Sequence, residues 1–419
     1  MKKLALHWKI IIGMFLGFLV GFLANFMGVN SIIIDWIQPF GKIFINLLKL
    51  LAVPLIFASL IKGISGVKDI SSLSKMGYKT VGVYLFTTVI AIIIALILSN
   101  VLAPGHSLPA DVHQDMIEEY GPKADSKTLD TEKLKQGGPL RFIVEIVPDN
   151  IVNAMQDNGK MLKVIFFTIL FGITLVLLPE DKTKTIRQFF DDLNEVILKM
   201  VDIIMAFAPY GVFALLAGLV SEKGEKIFGL FQGLGAYALT VVTALAFMVF
   251  IVYPLILRVF TKRPYTEFFK GIAPAQMLAF STSSSAATLP LTMECCEDNL
   301  KIPNSVASFV LPLGATVNMD GTSIWHTVTT IFLAQVYGYD LTLAQQLTII
   351  LTATLSSIGA VGVPGGGIVM LIIVLQSVGL PSEGIAIIMG IDRLLDMCRT
   401  VVNVTGDSAV ATVVADTQN

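Results

Sequence analysis

Long apolar runs alternate with short polar intervals along the first two thirds of the chain, and the runs have the length of a bilayer crossing. Ile10 to Met27, Phe44 to Leu60, Val81 to Val101, Val164 to Leu178, Ile203 to Val220 and Ala236 to Leu257 carry almost no charge. Each approaches the roughly 20 residues a helix needs to span hydrocarbon. Lipid offers the backbone no hydrogen-bond partner, so such runs are predicted to be helices, here six in succession. After Lys270 the pattern changes. Ala279 to Pro290 reads AFSTSSSAATLP and Ser357 to Met370 reads SIGAVGVPGGGIVM, polar or glycine-rich stretches inside otherwise apolar segments. Neither suits a continuous helix in lipid. They read as two hairpins that enter the membrane and turn back, or, on pattern alone, as two loops.

Each of these stretches is followed by a helix with polar residues in mid-span. Phe309 to Gln335 contains Asn318-Met319-Asp320-Gly321-Thr322. Glycine beside aspartate favours local unwinding there, which frees carbonyls for a cation. The last helix carries Asp392, Asp396, Arg399, Asn403 and Asp407 among Leu, Val, Ala and Met. At about 100° per residue these five share a face roughly 90° wide. An ionised group at bilayer depth costs roughly 2.5–3.5 kcal/mol on insertion scales, so the stripe points to function. A hairpin then a polar helix, twice over, suggests the repeat architecture of secondary transporters, with sites at the midplane.

Composition agrees. Of 419 residues 54% are hydrophobic and 14% charged, and mean hydropathy is +0.77; soluble domains carry about 25% charged residues. The formal net charge of −2 excludes a strongly basic nucleic-acid surface. The three cysteines, Cys295, Cys296 and Cys398, are too few for a disulfide framework. No Walker A loop, HExxH or spaced Cys/His metal set occurs, which argues against an ATP-driven pump and against an enzyme. The first run is too long for a cleavable signal. Lys2, Lys3 and Lys9 precede it, Lys62, Lys68, Lys75 and Lys79 follow the second run, Lys182, Lys184 and Arg187 the fourth, and Arg258, Lys262, Arg263 and Lys270 the sixth. Positive loops face the cytoplasm, so both termini are expected there, in a multi-pass protein of the cytoplasmic membrane.

STSSSAATLP, LPLGATVNMDGT, SIGAVGVPGGG and DMCRTVVNVTGD together resemble the dicarboxylate/amino acid:cation symporters, the family of the excitatory amino acid transporters and their archaeal and bacterial relatives. The likeness runs from Lys9 to Asp416 with the motifs in order. It implies an all-α polytopic membrane protein with eight transmembrane helices, two re-entrant hairpins and inverted repeats, forming a homotrimer that works by an elevator mechanism. On this pattern residues 1–76 (spans 1 and 2) and 139–222 (spans 4 and 5) form a trimerising scaffold, and 104–138 is an extracellular polar loop. Residues 77–103 (span 3) and 223–419 form the moving transport domain. The latter holds span 6, hairpin 1 at about 266–300, span 7 at about 303–336, hairpin 2 at about 343–379 and span 8 at about 383–416.

The resemblance also implies site roles. Arg399 would grip the side-chain carboxylate of aspartate or glutamate, since its planar fork suits a bidentate contact. Asp396 would accept the substrate ammonium, Asn403 and Thr400 the α-carboxylate and neighbouring groups, with Ser284 and Ser285 of the first hairpin. Thr322 would lie beside the pocket, and Val363 and Gly367 would cover it. Sodium is the implied coupling ion, with no organic cofactor. One sodium site resembles Asp407 with backbone of Gly314, Asn318 and Asn403. A second resembles Tyr84, Thr87 and Thr88 with Asn318 and Asp320, although the first three also suit helix packing. A third draws carbonyls from Thr316, Ser357, Ile358 and Ala360, with Met319 nearby.

The chain departs from the family's pattern in places. Ser283 and Met397 stand where archaeal and animal members respectively carry an arginine, and Arg393 lies one turn before Met397. His326 stands where animal members have a glutamate associated with proton and potassium coupling; it either packs or serves as a proton site, and it leaves that coupling open. The expected activity is sodium-coupled symport of aspartate and/or glutamate. The rivals are a proton-coupled glutamate or dicarboxylate symporter on the same fold and an ion channel.

Overall fold

Helix is the only element among the described residues, as a chain in lipid requires. The computed structural model describes residues 6–65, 74–118, 147–156, 161–261, 263–359 and 366–417. We number the principal helices α1 (Leu6–Phe26), α2 (Gln38–Ser65), α3 (Ser74–Leu102), α4 (Met161–Leu177), α5 (Glu180–Ala206), α6 (Ala208–Lys223) and α7 (Ile227–Phe247). In the second half come α8 (Tyr265–Thr282), α9 (Ser285–Glu294), α10 (Asn304–Val317), α11 (Asp320–Val336), α12 (Leu343–Gly359), α13 (Gly366–Ser377) and α14 (Ile385–Asp416).

Four helical stretches are long and apolar enough to cross a membrane: Trp8–Phe26, Asn30–Lys62, Met76–Ser107 and Ile227–Phe260. They take up four of the six predicted runs. The Ile203–Val220 run is not one helix: α5 and α6 meet at Phe207 with a bend of 49°. Pro209 opens α6, where its missing N–H costs no intrahelical hydrogen bond and its fixed φ suits a helix start. Lys182, Lys184 and Arg187, expected in a loop, lie on the early turns of α5. The fourth run is the short apolar helix Lys163–Leu177.

The first helix is bound to α6 through a stripe of small residues. A Cβ on Gly13 would collide with the Pro209 carbonyl oxygen, one on Gly17 with that of Phe213, and one on Gly21 with that of Ala217. Glycines four apart let the two backbones approach where side chains would hold them off. On the other side of α2, Phe57, Phe167, Phe171 and Phe190 join α2, α4 and α5; Phe57 stacks on Phe167 at 6.1 Å and Phe171 meets Phe190 edge-on at 5.5 Å.

Part of the stretch expected as an extracellular polar loop, 104–138, lies among the described residues. Residues 110–118 are helical and bury Val112 and Met116. The Gly105 amide donates to Gln335 Oε1 at 2.9 Å, and Lys226 pairs with Asp115 at 2.7 Å. That pair holds the Asp115 carboxyl below its ordinary range through the Lys226 hydrogen bond.

The second half contains two helical hairpins. In the first, α8 ends at Ser283, whose φ of 51° is left-handed, and its amide closes on the Ala279 carbonyl at 2.9 Å. Ser284 then starts α9, its hydroxyl accepting from the Ala287 amide at 3.1 Å. In the second, α12 and α13 pack side by side, and residues 360–365, which join them, lie outside the described residues. The helix expected over Phe309–Gln335 is broken at Asn318 and Met319, between α10 and α11. Arg263, ahead of α8, holds the far end of α14 by a fork on Asp416, Nε at 2.8 Å and Nη2 at 2.7 Å, and Lys79 of α3 reaches the Thr417 carbonyl at 2.7 Å.

Candidate functional site

The break in α10–α11 and the stripe on α14 face each other, and the predicted polar residues meet there. Asn318 Nδ2 donates to Asp407 Oδ1 at 3.0 Å, and Thr87 Oγ1 of α3 donates to Asn318 Oδ1 at 3.2 Å. Thr88 Oγ1 donates to Asp320 Oδ1 at 2.7 Å. Tyr84 donates to the Val310 carbonyl at 2.9 Å. A Cβ on Gly314 would run into Tyr84 Oη and the Asp407 carboxylate, so α10 passes close to both. The residues of the first two predicted cation sets are therefore neighbours, in a fully buried patch rich in carboxylate, carbonyl and hydroxyl oxygen. Hard cations prefer such oxygens. Among the described residues no group of three or more His, Cys, Asp or Glu could hold a metal ion.

The third set is less assembled. Thr316 is exposed and its hydroxyl donates to the Leu313 carbonyl at 2.9 Å; Ser357 is buried and donates to the Thr354 carbonyl at 2.8 Å. Met319 Sδ accepts from Asn403 Nδ2 at 3.3 Å. Ile358 is half-buried, and Ala360 lies outside the described residues.

The stripe on α14 is an alternating chain of charges. Arg399 Nη2 lies 2.8 Å from Asp396 Oδ1 and 3.2 Å from Asp392 Oδ1, and Arg393 Nη1 lies 3.2 Å from Asp396 Oδ2. Arg399 is 2% exposed, and its Cζ sits 3.8 Å from the centre of the Trp325 ring, a cation–π contact. Its Nε and Nη1 have no hydrogen-bond partner among the described residues. A buried guanidinium with unspent donors is costly alone and well suited to a carboxylate guest.

Asn403 and Thr400 share α14 with Arg399, and Thr322 lies on α11. Asn403 Oδ1 accepts from the Gly321 amide at 2.8 Å, and its Nδ2 lies 3.3 Å from Thr322 Oγ1. Thr400 Oγ1 donates to the Asp396 carbonyl at 2.8 Å. Gly321 has no room for a side chain, because a Cβ would strike the Arg399 carbonyl oxygen. The first hairpin packs on α14 through Ala275, Ala279, Cys295 and Val404, and Gln276 donates to Thr405 at 2.8 Å; its Ser284 and Ser285 are buried. From the second hairpin, a Cβ on Gly367 would lie 3.4 Å from Thr322 Cγ2 and 3.5 Å from Trp325 Cζ3. His326 Nε2 is 2.9 Å from the Gly367 carbonyl oxygen, while Nδ1 has no partner among the described residues. Val363 lies outside the described residues.

Two participants carried no sequence prediction. Tyr253 donates to Asp320 Oδ2 at 2.9 Å, and Trp325 backs Arg399. The available signal was spacing: Trp325 is three residues past Thr322, on the same helix face.

Residues 6–417 match the sodium:dicarboxylate symporter family. The chain is 36% identical over 415 residues to the proton/sodium-glutamate symport protein of Geobacillus stearothermophilus, covering 99% of this chain and 95% of that protein. It is 34% identical to the proton/glutamate-aspartate symporter of Escherichia coli (strain K12), covering 99% and 93%. It is 36% identical to excitatory amino acid transporter 1 of Ambystoma tigrinum, covering 89% and 76%. Apolar spans, a broken polar helix and a buried charged stripe thus coincide with likeness along nearly the whole length, and the chain belongs to the sodium:dicarboxylate symporter family.

Proposed function

We propose that this chain is a secondary active transporter of L-aspartate and/or L-glutamate, driven by sodium, in the cytoplasmic membrane. The observation that carries the reading is Arg399: a buried guanidinium with Nε and Nη1 unspent, one helical turn from Asp396. An acidic amino acid places its side-chain carboxylate against those unspent donors and its ammonium on Asp396. Asn403, Thr400 and Thr322, with Ser284 and Ser285, surround the α-carboxylate, and Val363 and Gly367 close the second hairpin over it. Sodium enters the oxygen-rich patch at Asp407, Gly314, Asn318 and Asn403, and at Tyr84, Thr87, Thr88 and Asp320. A third ion, held by carbonyls of Thr316, Ser357, Ile358 and Ala360 beside Met319, couples to closure. We extend the reading to a homotrimer of eight spans and two re-entrant hairpins with cytoplasmic termini, in which residues 77–103 and 223–419 move as one body against 1–76 and 139–222.

The test is uptake of labelled aspartate and glutamate into proteoliposomes, with sodium, proton and potassium gradients imposed one at a time. Accumulation that vanishes when choline replaces sodium supports the reading. Accumulation driven by a pH gradient alone promotes the second reading, a proton-coupled symporter, favoured by His326 beside Gly367 and by relatives named for both ions. Ion current without accumulation would make the protein a channel.

A further inference from the structure

Asp396 and Arg399 face each other one turn apart, yet they share a single contact. A guanidinium beside a carboxylate ordinarily engages both oxygens through two parallel N–H bonds. Here Asp396 offers Arg399 only Oδ1, at 2.8 Å from Nη2. Its Oδ2 is drawn the other way, to Arg393 Nη1 at 3.2 Å. The two arginines sit three residues on either side of the aspartate, so one helix face holds the carboxylate between two cations. The pair with Arg393 is not a loose surface bridge, since its side chains are 14% and 16% exposed. Arg399 is meanwhile pinned from behind by Trp325 and along one edge by Asp392. Its Nε and Nη1 remain uncommitted; they lie on different edges of the guanidinium, each edge sharing Nη2, so each offers a single donor and not a parallel pair.

We infer that Arg393 is a positioning residue for acidic-substrate selectivity: by holding Asp396 Oδ2, it prevents Asp396 from closing over the Arg399 fork and keeps two donors open for the substrate carboxylate. The inference rests on the reading of Arg399 as the substrate grip. Without Arg393, Oδ2 is left a buried carboxylate oxygen without a cation, while Arg399 already holds the other oxygen of the same carboxylate. Asp396 then rotates into a bidentate pair with Arg399, and a guest carboxylate must first break it. The penalty falls hardest on substrates that need the fork. Every amino acid needs Asp396 for its ammonium and shares that part of the cost, whereas only one with a side-chain carboxylate also loses the Arg399 donor.

The experiment compares wild type, Arg393→Met and Arg393→Lys in proteoliposomes, using labelled aspartate with unlabelled aspartate or asparagine as competitor. The readout is the ratio of the two inhibition constants. Arg393→Met is expected to weaken both competitors through Asp396 but aspartate about tenfold more than asparagine, so the ratio shrinks by about that factor, the size of one charge-assisted contact. Arg393→Lys, which retains a cation, is expected to keep the ratio within about threefold of wild type. General damage to the fold weakens both competitors together and leaves the ratio intact, so an unchanged ratio in Arg393→Met overturns the inference. A ratio lost equally in Arg393→Lys also overturns it, because charge would not be the cause. Should Arg393→Met fail to fold, Arg393→Gln gives the same comparison. Wild type that takes up aspartate but does not prefer it to asparagine defeats the reading of Arg399 itself, a different result from either.

Discussion

Asn318 donates its side-chain amide to the Asp407 carboxylate at 3.0 Å, which ties the break between α10 and α11 to the middle of α14. The same side chain accepts from Thr87 on α3 at 3.2 Å, so three helices meet on one carboxamide. On the proposed reading, an ion beside Asp407 would exchange protein donors for its own charge and bind both the broken helix and α14. Ion and substrate then stabilise the same arrangement, and linkage makes their coupling reciprocal. In wild type the apparent dissociation constant for aspartate is expected to fall steeply as sodium rises. Asp407→Asn removes a charge without changing shape, and should lower sodium affinity about tenfold or more while partly flattening that slope. A slope that Asp407→Asn leaves untouched would remove Asp407 from the ion path.

Arg399→Cys tests the grip directly. The substitution removes the fork and leaves space beside Trp325, Asp392 and Asp396. Loss of a charge-assisted contact costs about 1.5–3 kcal/mol, so aspartate affinity should drop about ten- to a hundredfold. Neutral amino acids such as serine should gain entry, because Asp396 still receives an ammonium. Competition assays with serine and aspartate check both halves, and wild-type aspartate affinity in the variant would refute the assignment.

The parts of this site legible in the sequence are those set by a single helix. Asp396, Arg399, Asn403 and Asp407 declared themselves through periodicity on α14, and the break at Asn318 and Met319 through Asp320-Gly321. The hairpin at Ser283 followed from a serine run too polar for an apolar span. What the sequence withheld depends on which helices face each other. Tyr253 reaches Asp320 across 67 positions, and the partners of Gly13, Gly17 and Gly21 lie on α6. The opposing pulls on Asp396 needed side-chain directions, since spacing alone allows either arginine to take both oxygens. The bend at Phe207 escapes hydropathy, because Ile203 to Val220 is uncharged throughout; its signal was Pro209, two residues on, which suits a helix start.

The contact between α1 and α6 gives a stability prediction independent of transport. Gly17→Leu places a side chain where the Phe213 carbonyl stands, forcing two backbones apart. Overpacking of this kind costs about 1–3 kcal/mol. Thermal unfolding in detergent should show a lowered midpoint. Gly235→Ala on α7 is the control: nothing lies within 4 Å of a Cβ there, and alanine is the better helix former. Its midpoint should hold or rise. Equal midpoints for the two variants would argue against close backbone packing at α1.

His326 joins α11 to the start of α13. It is fully buried, and Nε2 lies 2.9 Å from the Gly367 carbonyl oxygen at the start of α13. A carbonyl only accepts, so the proton of a neutral ring sits on Nε2 and Nδ1 is left as an acceptor without a partner. The ring thus acts as a donor that fastens the second hairpin beside Thr322 and Trp325. Glutamine offers an amide N–H of similar reach, whereas leucine offers none. If fastening is the whole role, His326→Gln should keep both sodium-coupled uptake and its pH dependence between about pH 5.5 and 8, the range in which an unperturbed histidine titrates. His326→Leu should raise the sodium and aspartate concentrations needed for half-maximal uptake, by about three- to tenfold for one lost hydrogen bond. If the ring instead carries a proton through the cycle, His326→Gln should lose the pH dependence of net uptake while still exchanging internal for external aspartate. The two outcomes are read from the same proteoliposomes, by comparing net uptake with exchange at each pH. The single bond to Gly367, which a neutral donor satisfies, favours fastening, and loss of pH dependence in His326→Gln would reverse that assignment.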